Sequence, residues 1–445
     1  MECKIAVVGT GYVGLVAAAC FAKKYQVVCV DIDKAKVDSI NRGSSPFYEN
    51  SLDELLADAL SSGRIRATTD LREALDEIDF VFICVGTPSL HSGAIDLCYV
   101  EKVAEDIGKV LADTNRYVII VQRSTVVPTT TNRLVGDTIA KESDKQAGKD
   151  FGIAFVPEFL REGCSVHDFL NPDRIIIGTE DDKVRQKLFE LYTDFYPELP
   201  DEKILFMSTE SSELVKYASN SFLATKISFA NEIATLAELI PGVDVAEVMQ
   251  GVGLDHRINP SFFGAGAGFG GSCFPKDVKA LIHFAQTNAF KPLILESVMQ
   301  RNEKQGLHIV DLVEDALGEL HGKRIAVLGL SFKPGTSDMR EAPSLHIIAE
   351  LIERGAGEII GCDPQAITEA RSILGDRIEY TKNPIEALKN AHVALLLTEW
   401  DEFKKLTPDD FIDAMKEPIL IDARRVYEFN EFDEKMKYVT IGVGG

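Results

Sequence analysis

The chain opens on a short apolar run, Ile5–Val8, that ends at glycine and gives way to a helix-like stretch, Gly14–Lys23. The pattern then repeats. Val27–Val30, Phe80–Val85, Val118–Val121 and Ile153–Val156 are further short runs rich in Val and Ile, the signature of strands buried on both faces. Lys34–Asn41, Leu52–Ser61 and Val100–Ala112 lie between them with helical spacing of their apolar positions. Strand–helix alternation of this kind predicts a doubly wound parallel sheet with right-handed crossovers.

From Glu210 to Leu239 the pattern changes: no Gly or Pro occurs, and Leu214, Tyr217, Ala218, Ser221, Phe222, Thr225 and Phe229 recur at helical spacing. One long helix is expected, stopped by Pro241-Gly242. Helices at Ala246–Gly251, Asp277–Thr287 and Pro292–Ala316 follow. After His321-Gly322-Lys323 the alternation restarts, with strands at Arg324–Leu328, Glu358–Gly361, Val393–Leu397 and Pro418–Ile421. The expected organisation is therefore 1–205 α/β, 206–318 helical and 319–445 α/β, the two α/β parts being structural cousins. A length of 445 residues fits about three domains.

Charge sharpens this picture. Lys and Arg number 47 against 70 Asp and Glu, a net charge of −23, which argues against nucleic-acid or polybasic membrane partners. Any anionic ligand must meet positive charge concentrated locally. No apolar run approaches the length of a membrane-spanning helix, and the first residues read as a strand rather than a secretion signal. The eight cysteines form no C-x-x-C pair and fit free thiols in a reducing cytoplasm. The histidines lack metal-ligand spacing, so no metal is expected.

Gly9-Thr10-Gly11-Tyr12-Val13-Gly14 matches G-x-G-x-x-G between a strand and a helix. Gly9 permits the tight turn, Gly11 lets backbone approach a pyrophosphate, and Gly14 lets helix and strand pack closely. The positive end of the helix dipole faces the phosphates. Asp31 stands 17 residues past Gly14, at the end of the next strand, where a carboxylate accepts from a ribose 2′-OH and repels a 2′-phosphate. NAD is favoured over NADP, in a Rossmann-like fold.

A second glycine-rich segment, Gly264-Ala265-Gly266-Ala267-Gly268-Phe269-Gly270-Gly271-Ser272-Cys273-Phe274-Pro275-Lys276-Asp277, ends in a cysteine at an expected helix start. Such glycine density lets backbone close on a ligand. The helix start and Lys276 would both favour a Cys273 thiolate, and Asp277 lies one helical turn on. The other seven cysteines read as buried small hydrophobes. A thiol beside a dinucleotide site points to aldehyde-level chemistry. The thiol adds to an aldehyde, hydride loss gives a thioester, and water releases a carboxylate. Oxidation of a primary alcohol to an acid with two NAD⁺ follows.

In Glu213–Asn220, Lys216 and Asn220 share a helix face at i, i+4 and could both serve a developing oxyanion. Val156-Pro157-Glu158-Phe159-Leu160-Arg161-Glu162-Gly163, Gly86-Thr87-Pro88 and Ser124-Thr125 follow strands, at the sheet edge where open α/β folds bind ligands.

With these residues the chain resembles the UDP-glucose/GDP-mannose dehydrogenase family, the nucleotide-sugar 6-dehydrogenases, along nearly its whole length. The segments Gly9–Leu15, Gly270–Asp277 and Ser331-Phe332-Lys333-Pro334-Gly335-Thr336-Ser337-Asp338 carry the likeness, and Pro157–Gly163 resembles the UDP-glucose branch. The resemblance implies two Rossmann-like domains joined by a long central helix that forms a dimer core. It implies oxidation of UDP-glucose to UDP-glucuronate through a cysteine thiohemiacetal and thioester. Cys273 would be the nucleophile, Lys216 and Asn220 the oxyanion donors, and Asp277 the group that orients or activates water. Glu158 would assist thioester hydrolysis and Thr125 position a water. Gly9, Gly11, Val13, Gly14, Asp31, Lys36, Thr87, Thr125, Glu162, Lys276 and Arg340 would contact NAD. Glu158, Phe159, Leu160, Arg161, Glu162, Lys216 and Asn220 would line the sugar. Phe262, Phe263, Gly264, Ala265, Gly266, Gly270, Phe332 and Lys333 would meet the UDP-sugar, as would Arg424 or Arg425. Arg257 would reach the substrate of a neighbouring subunit.

There are departures: Gly86 stands where a proline is common, Val127-Pro128-Thr129 replaces a more usual Pro-Pro-Gly, and Gly264 stands where some relatives carry lysine. Three other readings stay open: the same chemistry on a UDP-HexNAc or GDP-mannose substrate, a catalytically inactive nucleotide-sugar binding protein, and a hydroxyacid dehydrogenase making one NADH per substrate.

Overall fold

The computed structural model describes residues 3–444, and the chain forms two units, Met1–Ser219 and Asn220–Gly445. The first unit is built on an eight-stranded sheet: β1 (Lys4–Val8), β2 (Gln26–Val30), β3 (Ile65–Thr68), β4 (Phe80–Ile83), β5 (Ile119–Gln122), β6 (Gly152–Phe155), β7 (Ile175–Gly178) and β8 (Ile204–Met207). Their spatial order is β3-β2-β1-β4-β5-β6-β7-β8. β1 to β6 are parallel, and β7 meets β6 antiparallel at Phe155 and Gly178. The first helix, α1 (Tyr12–Phe21), is buried from Gly14 to Phe21, so its sequence is apolar all round rather than striped. Phe21 closes on Phe82, Phe169 and Phe195 at ring distances of 5.1 to 5.3 Å. Each such buried ring is worth about 1.5–3 kcal/mol.

A thirty-residue helix, α2 (Thr209–Glu238), begins in the first unit and ends in the second. Its buried face mixes polar side chains with Tyr217 and alanines. Ser212, Glu213, Lys216, Asn220, Ser221, Ser228 and Asn231 are buried, while Leu214, Phe222, Phe229 and Leu236 are exposed. The expected apolar set thus divides: Tyr217 and Ser221 face inward, and Leu214, Ala218, Phe222 and Phe229 outward.

The second unit continues with α3 (Val245–Gly253), α4 (Phe274–Thr287) and α5 (Leu293–Leu317). It then builds a six-stranded parallel sheet from β9 (Ile325–Leu328), β10 (Ile359–Cys362), β11 (Glu379–Thr381), β12 (Val393–Leu396), β13 (Ile419–Asp422) and β14 (Lys437–Thr440). The order is β11-β10-β9-β12-β13-β14, which repeats the order of β1 to β6. Helix α6 (Pro343–Glu353) follows β9. The two α/β parts are cousins in topology, as the pattern suggested.

Among the described residues no helix is long and apolar enough to cross a membrane. The expectation for the seven other cysteines needs correcting. Five are buried, but Cys98 and Cys164 are exposed: one opens a helix and the other precedes one, positions that face solvent.

Candidate active site

In the first unit Gly9 turns the chain with φ +95°. A Cβ there would lie 2.8 Å from the Cys84 carbonyl, and one at Gly14 would lie 1.8 Å from Gly9 O. At Gly11 a Cβ would meet nothing within 4 Å. Gly11 is also the N-cap of α1 and gives the helix no side-chain cap, which leaves the first-turn amides to a ligand. Asp31 Oδ2 accepts from Thr10 N (2.9 Å) and Thr10 Oγ1 (2.6 Å), and Oδ1 from Asp33 N (3.0 Å). Burial opposes its ionisation, but these bonds and the Lys36 ammonium at 3.7 Å outweigh burial and hold the carboxyl below its ordinary value. The oxygens keep further acceptor capacity for a ribose hydroxyl. Thr87 Oγ1 donates to Thr125 O at 3.0 Å, tying together the loops after β4 and β5. These residues fit a dinucleotide.

Glu158, on the loop after β6, and Lys216 of α2 are both buried. Lys216 Nζ lies 2.7 Å from Glu158 Oε1 and donates to Glu158 O at 2.8 Å; Leu160 N donates to Oε2 at 2.7 Å. Burial would raise the Glu158 carboxyl, yet Lys216 and the Leu160 amide hold it below its ordinary value. Glu158 is thus an ionised partner that fixes the ammonium. Lys216 and Arg174 also approach the Phe159 ring at 5.6 and 4.0 Å. Arg161 is taken up in a bidentate pair with Asp168 (2.7 and 2.9 Å).

Two acids in this unit were not singled out from the sequence. Glu49 accepts from Gly163 N and Ser165 N, closing the loop that holds Glu162. Glu213, one turn before Lys216, accepts from Thr129 N (2.6 Å), Thr131 N (2.8 Å) and Thr131 Oγ1 (2.6 Å). Burial pushes its carboxyl up to about 7 against those bonds. It fastens the Val127-Pro128-Thr129 segment, where Thr129 has φ +83°.

In the second unit Cys273 is the half-buried N-cap of α4, with Pro275 in the first turn. Asp277 N donates to Cys273 O at 2.8 Å. The Asp277 side chain is buried, taking Asn220 Nδ2 on one oxygen and Lys276 Nζ on the other, both at 2.6 Å. The Lys276 ammonium sits on Asp277. Helix α4 supplies the positive end near the sulfur.

The glycine loop presses on the segment after β9. A Cβ at Gly271 would lie 2.7 Å from the Phe332 ring, and one at Gly270 2.3 Å from Glu341 O. Gly271 N donates to Arg340 O at 2.9 Å. Lys333 reaches the Phe332 ring at 5.4 Å. The two candidate arginines separate clearly. Arg425 is spent on Asp244 (2.6 and 2.8 Å) and Ile441 O, whereas a Cβ at Gly266 would meet Arg424 Nη1 at 3.0 Å. Phe262 has φ +66° and is part-exposed, and Phe263 packs under the Lys226 ammonium at 4.3 Å. Arg257 is held by Asp255 and Arg340 by Asp338. Each of Lys36, Arg161, Lys216, Arg257, Lys276, Arg340 and Arg424 thus has a carboxylate within 4 Å. At these seven positions the positive charge is paired within the protein.

Comparison with known proteins decides the family. Residues 3–196 match the NAD binding domain of the UDP-glucose/GDP-mannose dehydrogenase family, 210–304 its central domain and 326–429 its UDP binding domain. The chain belongs to the UDP-glucose/GDP-mannose dehydrogenase family. It is 42% identical over 424 residues to the UDP-glucose 6-dehydrogenase AglM of Haloferax volcanii, covering 95% of this chain and 97% of that one. It is 42% identical to TuaD, a UDP-glucose 6-dehydrogenase of Bacillus subtilis, over 96% of this chain and 90% of the relative. Among solved structures, a UDP-glucose dehydrogenase from Pyrobaculum islandicum superposes with a TM-score of 0.91 at 38% identity, covering 100% and 98% of the two chains. A UDP-D-ManNAc dehydrogenase from Pyrococcus horikoshii gives 0.86 at 27% identity, over 99% of each chain. As a member of this family the chain is an oxidoreductase, and NAD is its cofactor.

Proposed function

We propose that this chain oxidises UDP-glucose to UDP-glucuronate through a thioester on Cys273, reducing two NAD⁺ for each sugar nucleotide. The observation that carries the reading is the buried Asn220–Asp277 pair at 2.6 Å, one helical turn from a cysteine at a helix start. NAD⁺, held by the residues of the first unit, would supply the hydride acceptor for both oxidations at C6, the hydroxyl proton of the alcohol passing to solvent. Cys273 Sγ forms a bond to the aldehyde carbon, and the carbonyl oxygen takes the negative charge. Lys216, paired with Glu158, donates to that oxygen, together with the second amide proton of Asn220, whose first is held by Asp277. Asp277 then accepts a proton from the water that adds to the thioester, a step that Glu158 and Thr125 would assist. The C–S bond breaks, returning the Cys273 thiolate and releasing the carboxylate, while the proton held by Asp277 and the second proton of the water pass to solvent.

On this reading Val13, Asp31, Lys36, Thr87, Thr125, Glu162, Lys276 and Arg340 serve NAD. Phe262–Gly266, Gly270, Phe332, Lys333 and Arg424 serve the UDP-sugar, and Arg257 serves a neighbouring subunit. The three segments 1–205, 206–318 and 319–445 divide the labour as NAD side, helical core and UDP side. The exposed row Leu214, Phe222, Phe229 and Leu236 on α2 supports a homodimer or higher oligomer through that helix. The free cysteines support a cytoplasmic setting.

The test is NADH yield per sugar nucleotide for the pure protein and for Cys273→Ser. Two NADH per UDP-glucose are expected, and no glucuronate from the variant while NAD and UDP binding persist. Full turnover by Cys273→Ser would sink the thioester, a clear preference for an N-acetylated sugar would move the substrate, and absence of NADH would leave a binding protein.

A further inference from the structure

The loop that leads into Cys273 has neither helix nor strand from 263 to 270, so its own backbone bonds do not fix it. Three amide side chains do. Gly266 N–H donates to Asn231 Oδ1 at 2.8 Å, and Gly266 C=O accepts from Gln305 Nε2 at 2.8 Å. Phe269 N–H donates to Asn302 Oδ1 at 2.8 Å, and its C=O accepts from Asn302 Nδ2 at 2.9 Å. Asn231 lies on α2, and Asn302 and Gln305 lie three residues apart on one face of α5.

The choice of side chain is informative. A carboxamide carries donor and acceptor on one group, so Asn302 alone answers both backbone groups of Phe269 as a neighbouring strand would. Asn231 and Gln305 are 1% exposed, and Asn231 Nδ2 and Gln305 Oε1 have no protein partner. Burying such atoms is costly, and an apolar pair would fill the same space without that cost. The loop also leans on the bracket: Gly268 has φ +102°, and a Cβ there would lie 2.8 Å from Asn302 Oδ1.

We infer that Asn231, Asn302 and Gln305 are positioning residues that set the register of this loop, Asn231 and Gln305 at its sugar-nucleotide end and Asn302 at its thiol end. The inference rests on the reading of Cys273 as nucleophile and of residues 262–266 as substrate contacts. It separates the two ends kinetically. In the full-length protein, Gln305→Met raises the KM for UDP-glucose about tenfold while kcat stays within about twofold. Asn302→Leu lowers kcat and the rate of Cys273 alkylation by iodoacetamide, each about tenfold. Asn302→Asp keeps the acceptor for Phe269 N–H and recovers part of both. The KM for NAD is unchanged throughout.

The inference is overturned if all parameters follow the folded fraction alone, or if alkylation and both KM values match the parent. Should Asn302→Leu not fold, Gln305→Met and Asn302→Asp decide. Turnover by Cys273→Ser would defeat the nucleophile assignment itself. An inactive Cys273→Ser beside parent-like bracket variants would defeat only the bracket.

Discussion

After β1 the chain turns at Gly9 with φ +95°, and after β9 it turns at Gly329 with φ +98°. Gly9 N donates to Val30 O and Gly329 N to Cys362 O, both at 2.8 Å. One residue beyond β2 stands Asp31, and one residue beyond β10 stands Asp363. Each accepts the amide that follows its glycine, Thr10 N or Leu330 N, at 2.9 Å. There the likeness stops. The first turn enters α1 at Tyr12, whereas the second wanders to Pro343 before α6 begins. Asp31 keeps 9% of its side chain in solvent. Asp363 is fully buried under Trp400, whose indole donates to it at 3.2 Å, and it also takes the Ser331 hydroxyl and the Ser331, Gln365 and Ala366 amides. The acid at the end of the second strand is therefore a clamp for the turn first. It can read a ribose only where the protein leaves it reachable.

The largest expected effect isolates the clamp. Asp363→Ala removes the acceptor of six donors, five of them buried, and should cost about 3–5 kcal/mol in urea unfolding; a loss below about 1 kcal/mol would end the claim that the acid holds the turn. Exchanging the glycines comes next. Gly329→Ala forces a side chain 2.4 Å from Thr398 at positive φ, so about 2–3 kcal/mol of stability goes with the KM for NAD unmoved. Gly11→Ala meets nothing, so melting should hold while NAD binding weakens; the reverse assignment of effects would break the comparison. Asp31→Ala should raise the KM for NAD about tenfold or more, the worth of a charge-assisted hydrogen bond, and a parent-like KM would refute its ribose role. The smallest effect is on pH. The folded state holds Asp31 ionised below its ordinary value of 3.8. Its contribution is therefore present above that pH and lost as acid titrates the folded carboxyl. Asp31→Asn should flatten the acid limb of the stability curve, as followed by circular dichroism.

Most of this architecture was readable because buried parallel strands are written as uninterrupted apolar runs. The strands that escaped have other reasons. Ile65–Thr68, Glu379–Thr381 and Lys437–Thr440 lie at sheet edges with positions open to solvent, so polar residues break their runs. Ile204–Met207 is also an edge strand, apolar but short and half open to solvent. Ile175–Gly178 is apolar but follows the antiparallel switch at β6, outside the βαβ rhythm. At the site, Cys273, Asp277, Lys216 and Asn220 were legible because they sit in local motifs with chemical sense. Glu49, Glu213, Asp363 and the bracket amides were not. The contacts that give them their role reach backbone groups some 32 to 116 residues away, and no local spacing encodes such a pairing.

The carboxylates that accompany Lys36, Lys216, Lys276 and Arg340 bear on how ligands arrive. A protein of net charge −23 in which Lys36, Lys216, Lys276 and Arg340 are each paired with a carboxylate offers little long-range attraction to dinucleotides or sugar nucleotides, which are themselves anions. Encounter then proceeds against the field, and mobile ions that screen it ease the approach. On the proposed reading recognition rests on short-range contacts, the amides of α1 and the glycine loop, which act only after the ligand has come within reach. Salt should quicken the capture of nucleotides by this enzyme, opposite to the behaviour of proteins that steer their ligands with charge.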